Sequence, residues 1–258
     1  MKIAVLVSVG RHPVSGTARY SRNDAAALTM ALALARTNNA TLEVLHAGDP
    51  SNPALQEYLA LGARSVEVLD LATTPEMQAD AAAALAARLG GYELVLTGTR
   101  AEGAFDSGML PYRVAHALEI ALVGAAVDIT LRDGCAEVRQ FMPKGLRRRV
   151  EVQLPALIAV HPMANAAPTY AYARLREGTI RPVATQAAGG PEGLAWSVRP
   201  AAAKPVRLAA AEKRSGHARM LSATTTESRG GSVVIEGSSV EKAQVILAYL
   251  REHQLVDY

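Results

Sequence analysis

Short apolar runs alternate with longer amphipathic segments through the first half of the chain. The runs are rich in valine and leucine and are bounded by Gly, Pro, Asp or Asn, which predicts buried strands. They lie at residues 2–9, 41–47, 65–69 and 93–97. The segments between them predict helices at residues 24–37, 53–61 and 75–89, two of which begin with proline. Strands alternating with helices predict an α/β fold with a doubly wound, mostly parallel sheet.

The pattern changes after a further helix, which is predicted at residues 108–119. Four more strands are predicted, at residues 127–131, 136–141, 147–154 and 156–160. They are joined by Asp133-Gly134 and Pro143-Lys144-Gly145, which are favourable turn sequences. We therefore expect these strands to form an antiparallel extension of the same sheet.

The C-terminal part of the chain has a different composition. Periodicity fades from His161 onward, and residues 184–237 consist mainly of Ala, Gly, Ser, Thr and Pro with scattered charges. Such a composition buries too little apolar surface to form a core. We therefore divide the chain into an α/β domain at residues 1–183 and an arm at residues 184–258.

The arm ends in a predicted helix. Ser238 and Glu241 form a capping-box pattern, and the apolar residues of one helical face follow at Val240, Ala243, Leu247 and Leu250. A helix of about a dozen residues is marginal in isolation and needs a surface on which to dock. The pattern leaves three arrangements open: docking on another chain, folding back over the protein's own sheet, and disorder.

Composition narrows the class of protein. Half of the residues are apolar but only 4% are aromatic, which suits aliphatic helices packed on a parallel sheet. The net charge is +3 with both signs mixed along the chain, so no extended surface for nucleic acid is predicted. Cys135 is the single cysteine, which excludes an intrachain disulfide or a cysteine-based metal site and favours a reducing compartment. The N-terminal apolar run is too short for a signal peptide or a membrane span, so we expect a cytoplasmic protein without membrane insertion.

No catalytic motif of a hydrolase or acyl transferase is present. The sequence has no HExxH, no Gly-x-Ser-x-Gly, no P-loop and no Rossmann fingerprint after the first strand. The six histidines stand singly, and nothing in the sequence brings a nucleophile or carboxylate to any of them. We therefore expect no catalytic residues.

The fold class still predicts where a ligand binds. In a doubly wound sheet, ligands bind beyond the carboxyl ends of the strands where the strand order reverses, and the loops at residues 8–11, 47–50 and 98–108 are predicted to meet there. The third loop leads into a helix whose first-turn N–H groups suit a phosphate, with Ser107 as a candidate cap. The residues leave a second interpretation open: an ordinary loop capped by Asp106 or Ser107, in which Asp106 would repel a phosphate.

Several stretches carry a resemblance to a known family through their order and spacing. They are Val7-Ser8-Val9-Gly10-Arg11, Ser21-Arg22-Asn23-Asp24, Leu59-Ala60-Leu61-Gly62-Ala63-Arg64, Leu94-Val95-Leu96-Thr97-Gly98, Lys144-Gly145-Leu146, Leu154-Pro155-Ala156 and Pro168-Thr169-Tyr170. Over nearly the whole chain they resemble the beta subunit of bacterial electron transfer flavoproteins. The resemblance implies an adenine nucleotide alpha-hydrolase-like fold and an electron-transfer subunit that is not itself an enzyme.

The resemblance also implies cofactors, partners and site residues. It implies a heterodimer whose alpha subunit holds FAD and receives the C-terminal arm, AMP bound to this chain, and a flavin-linked dehydrogenase as electron donor. Cofactor-binding residues would be Ser8, Arg11, Ala47, Asp106, Ser107, Gly108, Met109 and Leu110. Partner-recognition residues would be Pro168, Tyr170, Tyr172, Ala173 and Arg174.

The sequence departs from the family pattern at four places, one of which is Ser21-Arg22-Asn23 in place of Asn-Pro-Phe. Residues 102–110 lack the Gln and Thr that help to hold phosphate, so AMP, another nucleotide or no nucleotide all stay open. Residues 12–20 leave only a short connection in place of the family's hairpin, and Tyr172-Ala173-Arg174 replaces a leucine, which favours a donor other than an acyl-CoA dehydrogenase. The alternative function is a stand-alone universal-stress-type adenine nucleotide-binding protein, whose glycine pattern Gly98, Gly103 and Gly108 do not fit.

Overall fold

The structure is a computed structural model that describes residues 1–71, 80–102, 108–185, 215–217, 220, 234–253 and 255–256. The chain divides into two compact units, Met1–Ala195 and Trp196–Tyr258. The strands of the first unit are β1 (Lys2–Leu6), β2 (Val9–Arg11), β3 (Ala18–Tyr20), β4 (Thr41–Gly48), β5 (Ser65–Asp70), β6 (Leu94–Gly98), β7 (Ala121–Arg132), β8 (Cys135–Phe141), β9 (Arg147–Gln153), β10 (Ala156–Val160) and β11 (Thr179–Ala184). Its α-helices are α1 (Arg22–Thr37), α2 (Leu55–Ala60), α3 (Ala81–Arg88) and α4 (Leu110–Ala117).

A single large sheet organises the first unit. Among the described residues its strand order is β11-β5-β4-β1-β6-β10-β7-β8-β9. All neighbours from β11 to β7 pair in parallel, and β8 and β9 continue the sheet in antiparallel fashion. The predicted α/β fold, with a doubly wound and mostly parallel sheet and an antiparallel extension, is confirmed.

Strand β10 is the main correction to the predicted topology. It was expected in the antiparallel extension, but it lies between β6 and β7 and pairs in parallel with both. All five of its residues are buried, as is typical of a central parallel strand covered on both faces. The turn sequences before it gave no sign that the chain returns to the middle of the sheet.

Two further strand predictions were incomplete. β7 begins at Ala121 rather than at residue 127, and its register shifts near Ala125, which has a positive φ of 55°. This bulge breaks the alternation of apolar residues that predicts a strand. β11 was not predicted, because this exposed edge strand contains Pro182 and has no buried face to leave a pattern.

A short hairpin lies between the first strand and α1. The predicted strand at residues 2–9 ends at Leu6, and Val9 begins β2, which pairs with β3 in antiparallel fashion. The prediction that residues 12–20 form only a short connection in place of a hairpin is therefore wrong, because these residues contain the turn and β3. Gly16, with a φ of 70°, and the bond from Gly16 N–H to His12 O close its turn.

Helices cover both faces of the sheet. Alternate residues of β1 point to opposite sides: Ile3 and Val5 pack with α1 and α2, whereas Ala4 and Leu6 pack with α3 and α4. Buried alanines of α1 allow that helix to lie close to the sheet. Predicted helix bounds agree with α1, α2 and α4 to within a few residues, and part of the helix predicted at residues 75–89 lies outside the described residues.

A partly buried ion network fastens α3 to the sheet. Arg88 donates to Glu67 of β5 (Nε···Oε1 2.6 Å) and to Glu43 of β4 (Nη2···Oε2 2.8 Å). The same guanidinium donates to the hydroxyl of Tyr92 at 3.0 Å. Its bonds to Glu67 and Tyr92 raise the pKa of Arg88, so it stays cationic at any working pH.

The second unit contains the predicted C-terminal helix, α5 (Ser239–Glu252). Ser238 and Glu241 form a reciprocal capping box, as the sequence predicted. None of the residues of α5 is buried, and the side chains of Val240 and Ile246 are 65% and 61% exposed. The apolar residues of α5 are therefore exposed or half-buried.

Candidate functional site

From β1 the chain adds β4 and β5 on one side and then crosses to add β6 on the other side. The strand order therefore reverses between β1 and β6. β1, β4 and β6 run in parallel and end at Leu6, Gly48 and Gly98. Parallel neighbours end at the same edge of a sheet, so the loops that follow them start from one edge. The predicted location of the ligand site therefore corresponds to the reversal point of this topology.

Asp24, in the first turn of α1, places its carboxylate between the ends of β1 and β6. Oδ2 accepts hydrogen bonds from the backbone N–H of Ser8 (2.8 Å) and from its hydroxyl (2.6 Å). Oδ1 accepts the backbone N–H of Gly98 at 3.0 Å. Ser21 caps α1, its hydroxyl oxygen accepting the N–H of Asp24 at 3.3 Å. One carboxylate thus joins the two strands at the reversal point.

The environment of Asp24 opposes its ionisation. The residue is 2% exposed, and burial raises the pKa of its carboxyl from 3.8 to about 7, although the bonds from Ser8, Gly98 and Ser21 favour the charged form. Desolvation therefore exceeds the stabilisation by hydrogen-bond donors.

Ser8 is held from three sides. Its hydroxyl oxygen accepts the N–H of Glu102 at 3.1 Å, and its carbonyl accepts the hydroxyl of Tyr58 at 2.6 Å. The Tyr58 oxygen in turn accepts the N–H of Ser21 at 2.9 Å. The carboxylate of Glu102 binds Arg19 of β3 at 3.0 Å, so the network extends from the strand ends to the hairpin.

His46 lines the same edge beside β1. Its Nδ1 donates to the carbonyl of Val7 at 2.8 Å, which leaves Nε2 as the acceptor of a neutral ring. Burial lowers the pKa of His46, so the ring stays neutral near pH 7. A Cβ on Gly48 would lie 2.7 Å from Nε2, so the chain needs a glycine where it turns back over this ring.

The structure describes six of the eight predicted cofactor-binding residues. Ser8 is buried in the Asp24 network, Arg11 is exposed on β2, and Ala47 is half-buried at the end of β4. Gly108, Met109 and Leu110 lie at the start of α4, with Met109 57% exposed. Asp106 and Ser107 lie outside the described residues. The donors of Ser8 face Asp24 rather than the open crevice.

The segment that holds the predicted recognition residues follows β10 and is bonded to α2 through Ala171 and Arg174. Ala171 N–H donates to the carbonyl of Ala60 at 2.9 Å, and Arg174 Nη1 donates to the carbonyl of Thr169 at 3.1 Å. Tyr172 begins a short 3-10 helix, Tyr172–Arg176. Pro168 and Ala173 are exposed, as are the rings of Tyr170 and Tyr172, whose residues are 47% and 75% exposed. This segment therefore has a fixed backbone and an aromatic surface.

Sequence reasoning missed the centre of the network. Asp24 was singled out only as part of a helix start, and Tyr58 and Glu102 were given no role. The spacing of Ser21 and Asp24 predicts a helix cap, but no local pattern shows that the carboxylate reaches Ser8 and Gly98. Those contacts join residues 16 and 74 positions apart, so only the fold brings them together.

The topology places the chain in the class of doubly wound α/β proteins, whose ligands bind beyond the strand ends at the point where the strand order reverses. The family model described as the electron transfer flavoprotein domain matches residues 15–189. The electron transfer flavoprotein subunit beta of Chromohalobacter salexigens is 35% identical over 263 aligned positions, covering 99% of this chain and 96% of that protein. The chain belongs to the electron transfer flavoprotein beta-subunit family, which confirms the resemblance carried by the motifs and favours it over the universal-stress alternative.

Proposed function

We propose that this chain is the beta subunit of a heterodimeric electron transfer flavoprotein. It passes electrons from a flavin-linked dehydrogenase through FAD that is held mainly by an alpha subunit. The observation that carries this proposal is the match to a beta subunit over 99% of the chain, which includes the C-terminal arm as well as the α/β domain. A family domain with the same sheet but without the arm would match only the first unit.

The form of α5 supports the proposal of a partner subunit. A helix of 14 residues is marginal in water without tertiary contacts, yet this one has an intact capping box and an exposed apolar face. An amphipathic helix of this kind is stabilised by docking its apolar residues in a groove. We assign that groove to the alpha subunit, and we assign the arm at residues 184–258 as the segment that reaches it.

The cofactor assignment follows from the family and from the crevice. FAD, when bound, supplies the electron-carrying chemistry, and this chain contributes orientation and exclusion of water. Exposed Arg11 is assigned to the flavin side. The described residues fit AMP better beside α4 than beside α1, because the N–H groups of Ser8 and Gly98 near α1 already donate to Asp24. Ala47, Gly108, Met109 and Leu110 are assigned to AMP with Asp106 and Ser107, while Ser8 shapes the wall rather than contacting the phosphate.

The exposed aromatic segment is assigned to the electron donor. Tyr170, Tyr172 and Arg174 stand on a backbone that is bonded to α2, so they are presented rigidly. Tyrosine and arginine are enriched at protein interfaces because they combine a large apolar surface with polar tips.

Within the described residues, no helix is both long and apolar enough to cross a membrane. As a separate part of the proposal, we place this complex in the cytoplasm.

The proposal is tested by co-expression of the full chain with an electron transfer flavoprotein alpha subunit from the same source. The expected product is a stable yellow heterodimer, and colourless chains that do not associate would refute it. Ile246→Asp places a charge at the edge of the apolar face of α5, one turn from Ala243 and Leu250, and is expected to weaken assembly at least tenfold. Ala248→Asp adds the same charge on the opposite face and is the matched control, expected to assemble like the unmodified chain.

A further inference from the structure

The Asp24 carboxylate lies where doubly wound proteins bind the anionic part of a ligand. In that fold class the phosphate meets backbone N–H groups at a strand end and at the start of the next helix. Here the N–H groups of Ser8 and Gly98 at the strand reversal donate to the protein's own carboxylate, at 2.8 and 3.0 Å. The groups of Ser8 and Gly98 that donate to this carboxylate are all neutral.

The space around the carboxylate is filled. A Cβ on Gly98 would lie 2.4 Å from Oδ1 of Asp24 and 2.7 Å from Cβ of Asn23. Ser8, Asn23 and Asp24 are each less than 9% exposed. Within the described residues, the N–H groups of Ser8 and Gly98 are therefore already bonded, and no space is left between Gly98 and Oδ1 of Asp24 for a second anion.

The network also fixes the segment that leaves β6. Gly98 is bonded directly to Asp24, and Glu102 is bonded indirectly, through the hydroxyl of Ser8. The carboxylate of Glu102 lies over Gly10, where a Cβ would come within 2.1 Å of Oε2. Residues 98–102 are therefore tied to β1 and to the hairpin by polar contacts at both ends.

We propose that Asp24 is a positioning residue, whose carboxyl group holds the carboxyl ends of β1 and β6 together and occupies the α1 side of the crevice in place of an external phosphate. Each carboxylate oxygen accepts hydrogen bonds from one strand end, Oδ2 from Ser8 and Oδ1 from Gly98. The titratable groups around it are Tyr58 on α2 and Glu102 after β6, with Glu57 beyond Tyr58. This role of Asp24 concerns the fold of this chain alone, so its test does not depend on the alpha subunit.

The test is amide hydrogen exchange on the full chain, read at Ser8, Gly98 and Glu102. Asp24→Ala removes both acceptors and is expected to speed exchange at Ser8 and Gly98 at least tenfold. Asp24→Asn keeps one acceptor oxygen, so it is expected to release one of these two amides and retain the other. Ser21→Ala removes the cap of the same helix without touching either strand end. In this matched control, exchange should rise in α1 and stay unchanged at Ser8 and Gly98.

Chemical rescue shows whether Asp24 acts as a hydrogen-bond acceptor or only fills space. In Asp24→Ala, added formate is expected to restore protection at Ser8 and Gly98, whereas chloride at equal concentration is not. Unchanged exchange in Asp24→Ala, or a loss that formate does not reverse, would overturn the proposal. If that variant does not fold, Ser8→Ala decides instead: exchange at Glu102 should rise at least tenfold while Gly98 stays protected, and the absence of this contrast would equally overturn it.

Discussion

Replacing Asp24 by asparagine should remove one component of the pH dependence of folding. In the folded chain the pKa of this carboxyl is about 7, whereas its ordinary value is 3.8. A carboxyl whose pKa is raised by folding binds its proton more tightly in the folded state than in the unfolded state. Its contribution to stability is therefore fully present below about pH 4 and is lost as the pH rises to about 7.

The magnitude follows from the shift. At about 1.4 kcal/mol per pKa unit, the whole component is about 4 kcal/mol. Over the practical interval from about pH 5 to pH 8, about 2.5 kcal/mol of it should disappear. The amide side chain of the Asp24→Asn variant does not titrate, so this component is absent from the variant at every pH. The residues that titrate elsewhere, such as His46, contribute equally to both proteins and cancel in the comparison.

The assay is urea unfolding of the full chain and of Asp24→Asn at several pH values and constant ionic strength. The quantity of interest is the difference between their free energies of unfolding, not either value alone. The free energy of unfolding of the unmodified chain, relative to that of Asp24→Asn, should fall by about 2.5 kcal/mol from about pH 5 to pH 8. A difference that stays constant with pH, or that shifts in favour of the unmodified chain, would refute the raised pKa.

Three other substitutions test separate parts of the account. Gly98→Ala forces a methyl group against Asp24 and should cost about 1–3 kcal/mol in urea unfolding, whereas Gly90→Ala, which has open space around its Cα, should be nearly neutral. Arg88→Met removes the ion network of α3 and should cost about 1 kcal/mol, partly recovered in Arg88→Lys; equal stability of all three proteins would contradict the network. Tyr172→Ala should change stability by less than about 0.5 kcal/mol but slow reduction of the heterodimer by its dehydrogenase at least tenfold, while Leu146→Ala, also exposed, should not.

Elements with a complete local signal could be predicted from the sequence. The capping box at Ser238 and the apolar face behind it define α5 without tertiary information, and alternating strands and helices define the doubly wound sheet. The place of β10 could not be predicted, because a buried run of five apolar residues suits any central position in a sheet. Insertion between β6 and β7 depends on contacts distant in sequence.

At the candidate site, too, some features could be predicted from the sequence and others could not. Its location at the ends of β1, β4 and β6 follows from fold class alone, and the family follows from short motifs in the right order. The role of Asp24 does not follow, since an aspartate in the first turn of a helix is usually a surface residue near the helix dipole. Its burial is a consequence of how closely α1 packs on the sheet, which the alanines of α1 permit but do not specify.

The central claim is that this chain carries electrons only together with a flavin-bearing alpha subunit. The most direct measurement is the flavin absorbance of the purified chain alone and of the chain mixed with the alpha subunit, after gel filtration. We expect a colourless chain alone and a yellow complex that elutes as a heterodimer with equimolar FAD. A chain that binds FAD stoichiometrically by itself, or that ignores the alpha subunit, would contradict it.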